Sequence, residues 1–350
     1  MAKITHFLTN HELLYYLALN LRFGRKKTFR SHVIAINEDP RQIQIVKIGD
    51  LYRGELVYKI DPNIAHAGFF AVFRRMLSAL YYADEIGAKP YVAYSKEFLY
   101  AQEEPVNGAE DPYEYYFHPI KAVGDMEIDH VNALVTFEPK HIRLAEQLNG
   151  KREIAYRVTD AYLDAMAGTF QKYVRLNEVM EEFVHTGIQS LGLTDRTVAV
   201  HCRGTDYNLG SKEHPVIVTP EDYFKILDPW LDESLFDTVF LATDDLKCLE
   251  QFRAHYGEKL CFYQDVQRTD GKEGVHFSQS QRKNHKYLLG AEVIRDVYTM
   301  ASCNGLLAGM SEVSICTRIA NRAFGVPYAK ELILDKGIVL YGRGFEHRET

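Results

Sequence analysis

The stretch Thr197-Val198-Ala199-Val200-His201-Cys202-Arg203-Gly204-Thr205-Asp206 decides how the chain is read. Its first four residues are β-branched or apolar without alternation, as in a parallel strand buried on both faces. A basic residue and a glycine follow within a few positions. Strand, then polar loop, then helix is the unit of a doubly wound sheet, and the same unit recurs downstream. Thr238-Val239-Phe240-Leu241-Ala242 reads as a second buried strand, followed by Thr243-Asp244-Asp245 as a helix start. Leu260-Cys261-Phe262-Tyr263 reads as a third strand and Gly305-Leu306-Leu307-Ala308-Gly309 as a fourth. Helices are expected from Pro220 under a Thr219 cap, from Tyr287 to Ala301, and from Ser311 to about Arg322. A basic loop is expected between Gln264 and His285. Four strands alternating with helices imply a Rossmann-like domain, whose ligands sit beyond the C-terminal ends of its strands.

Upstream, Phe69, Val72, Phe73, Met76, Leu77, Leu80 and Tyr81 recur at helical spacing after Gly68, and Gly87 is placed to end that helix. Pro90 to Tyr94 reads as a strand, as do His32 to Ile36 and Ile43 to Val46. The Tyr-, Glu- and Gly-rich segment from Ser95 to Asp125 reads as a long functional loop or insertion. Apolar spacing from Val174 to Leu191, stopped by Gly192, reads as one long helix. The expected organisation is an α/β chain of two domains, residues 1–192 and residues 193–350.

Composition narrows the function classes. The chain has 350 residues, 46% apolar and 25% charged, with a net charge of −7, which disfavours nucleic acid and anionic membrane partners. No apolar run reaches bilayer-spanning length, and Met1 to Asn10 lacks the layout of a secretion signal, so a soluble cytoplasmic protein is expected. The five cysteines, Cys202, Cys248, Cys261, Cys303 and Cys316, form no Cys-x-x-Cys pair and read as small buried side chains. The sequence contains no P-loop, G-x-G-x-x-G, H-E-x-x-H or G-x-S-x-G motif. It also lacks Asp-x-Asp, which disfavours a transferase that holds a nucleotide sugar through a divalent metal.

Three segments are expected to share one crevice at the strand ends: 201–206, 243–245 and 310–314. Arg203 offers a planar fork suited to phosphate, or else pairs with Asp206. Gly204 would admit a ligand close to the backbone. Thr243, Asp244, Asp245 and Ser311 are helix caps or anion-site residues, since a helix N-terminus beyond a strand presents free N–H groups. Asp296 reads as a residue on a solvated helix face. Gly68 and Phe69 open either a cleft-facing turn or a plain helix start.

The segment Val200 to Asp206 resembles the His-x-Arg-x-Thr-Asp segment of the α1,6-fucosyltransferases, a group that shares a superfamily with the nodulation and protein O-fucosyltransferases. Phe240 to Asp245 is similar to the second motif of that group, and Leu306 to Ala320, around Met310-Ser311-Glu312-Val313-Ser314, to its third. Ala67 to Ser95 is more weakly similar to its Gly-started first helix. The resemblance implies a GT-B-like fold, two facing Rossmann-like domains with a cleft between them. It implies GDP-fucose as donor, a glycan acceptor on the side of the first domain, inversion at the anomeric carbon and no metal or other cofactor. By position it gives His201 a nucleotide contact, Arg203 the β-phosphate, Asp296 guanine, the turn Ser311-Glu312-Val313 phosphate or ribose, and Asp245 the sugar end. Glu213 is the nearest counterpart of the acidic base of that group, with Asp206 and the 110–114 acidic cluster also open. Gly204 and Tyr207 stand where the α1,6 enzymes carry basic residues, so the linkage does not carry over.

Overall fold

The computed structural model describes residues 39–64, 67–150, 156–203, 214–270, 275, 278, 280–340 and 344–345, with single positions at 14, 17, 21 and 25. The strand expected at 32–36 and the site candidates Gly204, Asp206 and Glu213 lie outside these residues.

The second half is built on a five-stranded parallel sheet. Its strands are β4 (Thr197–His201), β5 (Thr238–Ala242), β6 (Leu260–Cys261), β7 (Gly305–Gly309) and β8 (Lys330–Leu334). They lie in the order β6-β5-β4-β7-β8, so the chain winds outward from β4 in one direction and then, from β7, in the other. Residue alternation covers both faces. Val198, Val200, Val239, Leu241 and Leu307 pack into one core with Tyr223, Leu227 and Trp230 of α4 (Pro220–Asp232) and Cys248, Leu249 and Phe252 of α5 (Leu246–Tyr256). Ala199, Phe240, Ala242, Leu306 and Ala308 point the other way. They meet Ile294 and Val297 of α6 (His285–Ser302) and Ile315 and Ile319 of α7 (Glu312–Phe324). This two-sided burial is why these strands read as unbroken apolar runs.

The first half holds a three-stranded parallel sheet in the order β2-β1-β3, from β1 (Val57–Ile60), β2 (Lys89–Val92) and β3 (Leu134–Thr136). Helix α1 (Phe69–Glu85) connects β1 to β2. Gly87 adopts φ 66° just beyond the helix, the left-handed conformation that glycine adopts without a Cβ penalty. The helices α2 (Asp160–Tyr173) and α3 (Glu178–Ser190) follow β3 but pack on the far sheet's helices, α2 on α7 and α3 on α6. One core therefore runs from Tyr58 and Phe73 through Met166 and Val184 to Ile294 and Ile319. The α/β class holds, with two facing parallel-sheet halves as in a GT-B arrangement.

Several expectations need correction. The helix expected from Val174 begins only at Glu178. Val174 is the C-cap of α2, and Asn177 caps α3, its side chain accepting from Met180 N at 3.0 Å. An Asn side chain that satisfies a free helix N–H restarts the helix there. Residues 43–46 form no strand, only an antiparallel bridge between Val46 and Leu134. The third strand ends at Cys261, because the chain turns out of the sheet and Arg268 Nη2 donates to the Tyr263 carbonyl at 2.9 Å. Strand β8 was not expected at all. The segment from Ser95 to Asp125 has no helix or strand, as the loop reading expected, but its rings Phe98, Tyr100, Tyr113, Tyr115, Tyr116 and Phe117 are all buried in the core. Four of the five cysteines are buried, Cys261 is half-buried and all are free thiols, as expected.

Gly305 opens β7 at the sheet end remote from the strand C-termini, and a Cβ there would run into the buried Phe236 ring. Overpacking of this kind costs about 1–3 kcal/mol. Gly305→Ala is expected to lower unfolding free energy by about that amount in urea titration with an unchanged slope.

Candidate functional site

Strand order reverses between β4 and β7, so the connection after β4 leads to one face of the sheet and α7 to the other. The crevice this opens at the strand C-termini is the ligand position of doubly wound sheets. His201 ends β4 and Ser311 follows β7, and their side chains meet there, Ser311 Oγ 3.3 Å from His201 Nδ1. Beneath them the Tyr223 hydroxyl donates to the His201 carbonyl at 2.9 Å. The same hydroxyl would lie 3.0 Å from a Cβ on Gly309, so the strand end and the helix below it are in close approach.

A cavity of about 300 Å³ occupies this crevice and is lined by both halves. The first half contributes Gly68, Phe69, Phe70, Tyr100 and Tyr156. Gly68 is the N-cap of α1 and has no side chain to bond the free N–H groups, and the Tyr100 hydroxyl accepts from Phe69 N at 3.2 Å. Gly68 and Phe69 are thus both a helix start and cleft wall. The second half contributes His201, Arg203, Thr243, Asp244, Asp296, Glu312 and Val313 among others.

The helix caps serve two purposes. Ser311 Oγ accepts from Ser314 N at 3.0 Å, while Ser314 Oγ accepts from Ser311 N at 3.0 Å, a reciprocal cap that fixes the first turn of α7. Glu312 and Val313, in that turn, line the cavity. After β5, Thr243 and Asp244 line the cavity, but Asp245 is not among its lining residues. Its Oδ1 accepts from Lys247 N at 2.8 Å, so it caps α5.

Asp296 does not lie on a solvated helix face. It lines the cavity, because α6 turns this face toward the loop that follows β6. Burial pushes its carboxyl up to about 7, with Arg295 and Arg268 pulling the other way. Arg295 is itself held by Asp265 at 2.6 and 3.1 Å and lies 3.8 Å from the centre of the Tyr263 ring. Beside Asp296, Glu292 pairs with Arg282 and accepts from Gln267 N at 3.2 Å.

An ion pair crosses the cleft. Arg74 Nε of α1 lies 2.8 Å from Glu312 Oε2 of α7. Burial raises the Glu312 carboxyl, opposed by Arg74 and then Arg203. Sequence reading missed Arg74, Glu292 and Gln267. Arg74 sits among apolar helical positions, a visible signal, whereas nothing in the sequence marks Gln267 or Glu292.

Among the described residues no group of three or more His, Cys, Asp or Glu is placed to hold a metal ion, and no helix is long and apolar enough to cross a membrane. No protein-family model matches the chain, and no curated protein matches it. Solved structures that are similar include a NodZ alpha-1,6-fucosyltransferase soaked with GDP-fucose, at 14% identity over 76% of this chain and 93% of that one, TM-score 0.47. The NodZ fucosyltransferase from Bradyrhizobium matches at 14% identity over 76% and 92%, TM-score 0.44. POFUT1 in complex with GDP-fucose matches at 10% identity over 82% and 99%, TM-score 0.43.

An acid whose folded pKa exceeds its ordinary 3.8 stabilises the fold most below that value, and loses that contribution as pH rises through about 7. Asp296→Asn removes the dependence. Its stability relative to wild type is expected to grow by about 1–3 kcal/mol between pH 4.5 and 8 in urea titrations. A constant difference would show that Asp296 does not titrate in this range.

Proposed function

We propose that the cleft binds GDP-fucose and that the chain is an inverting, metal-independent glycosyltransferase that moves fucose to a glycan acceptor. The observation that carries this reading is a convergence at the strand-order reversal. Arg203, the N-terminus of α7 and the half-buried carboxylate Asp296 all border one cavity shared by the two halves. Each suits a different part of a nucleoside diphosphate sugar.

Arg203 and the first turn of α7 put positive charge where a diphosphate would lie. As the bond between sugar and diphosphate breaks, negative charge grows on the leaving group, so the same groups favour the transition state over the ground state. Asp296, once ionised, accepts from two adjacent N–H groups, the pattern that the guanine edge offers. His201, with Ser311, stands between these ends. Thr243 and Asp244 border the cavity beyond β5. In this reading residues 193–350 hold the donor, and residues 1–192 supply the acceptor side through Phe69, Phe70 and Tyr100. Arg203 supplies the charge that a divalent ion supplies in Asp-x-Asp transferases. The protein acts in the cytoplasm.

The test is calorimetry with GDP, UDP, ADP and CMP in EDTA. GDP is expected to bind best, and Arg203→Ala to weaken it by about 10- to 100-fold, the worth of a charge-assisted contact. Because the ionised Asp296 is the binding form, GDP affinity is expected to rise about tenfold from pH 6 to pH 8 and to be flat in Asp296→Asn. Preference for ADP, whose base offers one exocyclic donor beside an acceptor, would remove guanine and fucose from the reading.

A further inference from the structure

Among the described residues, four carboxylates line the cavity: Asp244, Glu292, Asp296 and Glu312. Glu292 is taken by Arg282. Asp296 stands on α6 among Arg268 and Arg295. Asp244 follows β5, which flanks β4 on the side away from β7. Glu312 differs from all three. It is the first residue of α7, it feels the charge of Arg203, and it reaches the first half by its contact with Arg74. It therefore stands between the cation assigned to the leaving diphosphate and the wall assigned to the acceptor. Arg74 and Glu312 side chains are only 13% and 17% exposed, so the carboxylate is held in one place.

We propose that Glu312 is the general base of the transfer and Arg74 its positioning residue. This rests on the nucleotide-sugar reading above. The acceptor hydroxyl oxygen bonds to the anomeric carbon and its proton passes to a Glu312 carboxylate oxygen. The bond from the anomeric carbon to the diphosphate oxygen breaks, and its electron pair leaves with GDP. Glu312 then returns the proton to solvent. A base needs a pKa close enough to working pH to accept a proton in the transition state, and burial moves this carboxyl upward in that direction. Arg74, and after it Arg203, opposes that rise.

The test uses the full chain, GDP for binding and GDP-fucose with water as acceptor for turnover, read as GDP release. Glu312→Gln is expected to bind GDP within about threefold of wild type. Its GDP release is expected to fall by about 10²–10⁴, and the acidic limb of its pH–rate profile to vanish. Arg74→Gln is expected to keep release within about tenfold and to move that limb to higher pH, because the carboxylate loses its cation. Such a displacement is not produced by a merely structural ion pair. The double variant Arg74→Gln, Glu312→Gln leaves no unpaired buried charge, and it is expected to show the same loss of release if the single variant does not fold. GDP release within tenfold of wild type in Glu312→Gln, or loss of its GDP binding, overturns the assignment and leaves the donor reading in place. Wild type that binds GDP but releases none from GDP-fucose overturns it as well. Wild type that binds no GDP brings down the donor reading first, and the base with it.

Discussion

The geometry of the site depends on one topological constraint. In a sheet of parallel strands each crossover keeps to one face, and a sheet with helices on both faces must reverse its winding somewhere. Here it reverses between β4 and β7. Among the described residues no helix fills the gap above those two strand ends, so backbone polar groups and side chains there are met by each other or by a ligand. The Tyr223 hydroxyl, the Ser311 cap and His201 satisfy part of that need. What they leave is a polar-rimmed cavity with apolar walls from the first half.

That wall is fixed by the way the halves share a core. Helices α2 and α3 belong to the first half by sequence, yet they rest on α7 and α6. Arg74 and Glu312 add an ion pair to this apolar contact. A buried pair recovers little beyond its desolvation cost, so it contributes more to register than to stability. Its effect is to set α1 against the first turn of α7, the turn that lines the cavity. The aromatic segment after β2 works similarly, since Tyr116 donates to the Tyr287 carbonyl at 3.1 Å and stacks on its ring.

Much of the second half was legible in the sequence because burial on both faces writes itself as unbroken apolar runs. Thr197–His201, Thr238–Ala242 and Gly305–Gly309 were read that way, and Thr219 and Ser311 marked their helices by cap chemistry. Features set by long-range packing were not legible. Lys330–Leu334 carries two charges and lies at an edge, so its pattern resembles a loop. Ser95 to Asp125 looked polar because tyrosines carry hydroxyls, although those rings fill the core. At the site, Arg203, Thr243, Asp244, Ser311, Glu312 and Val313 followed from their places at strand ends. Asp296 faces the cavity only because of how α6 is rotated, and periodicity alone does not give that rotation.

The shared core also bears on synthesis. Helix α2 ends at Tyr173, whereas the helix on which it rests begins only at Glu312. At roughly 5–20 residues per second, the ribosome needs on the order of ten seconds to make the intervening chain. During that interval α2 has α1 to rest on, where Phe170 meets Phe73 and Met166 meets Ser78, but its α7-facing side lacks its partner. The first half therefore carries one face of α2 without its native cover until α7 emerges.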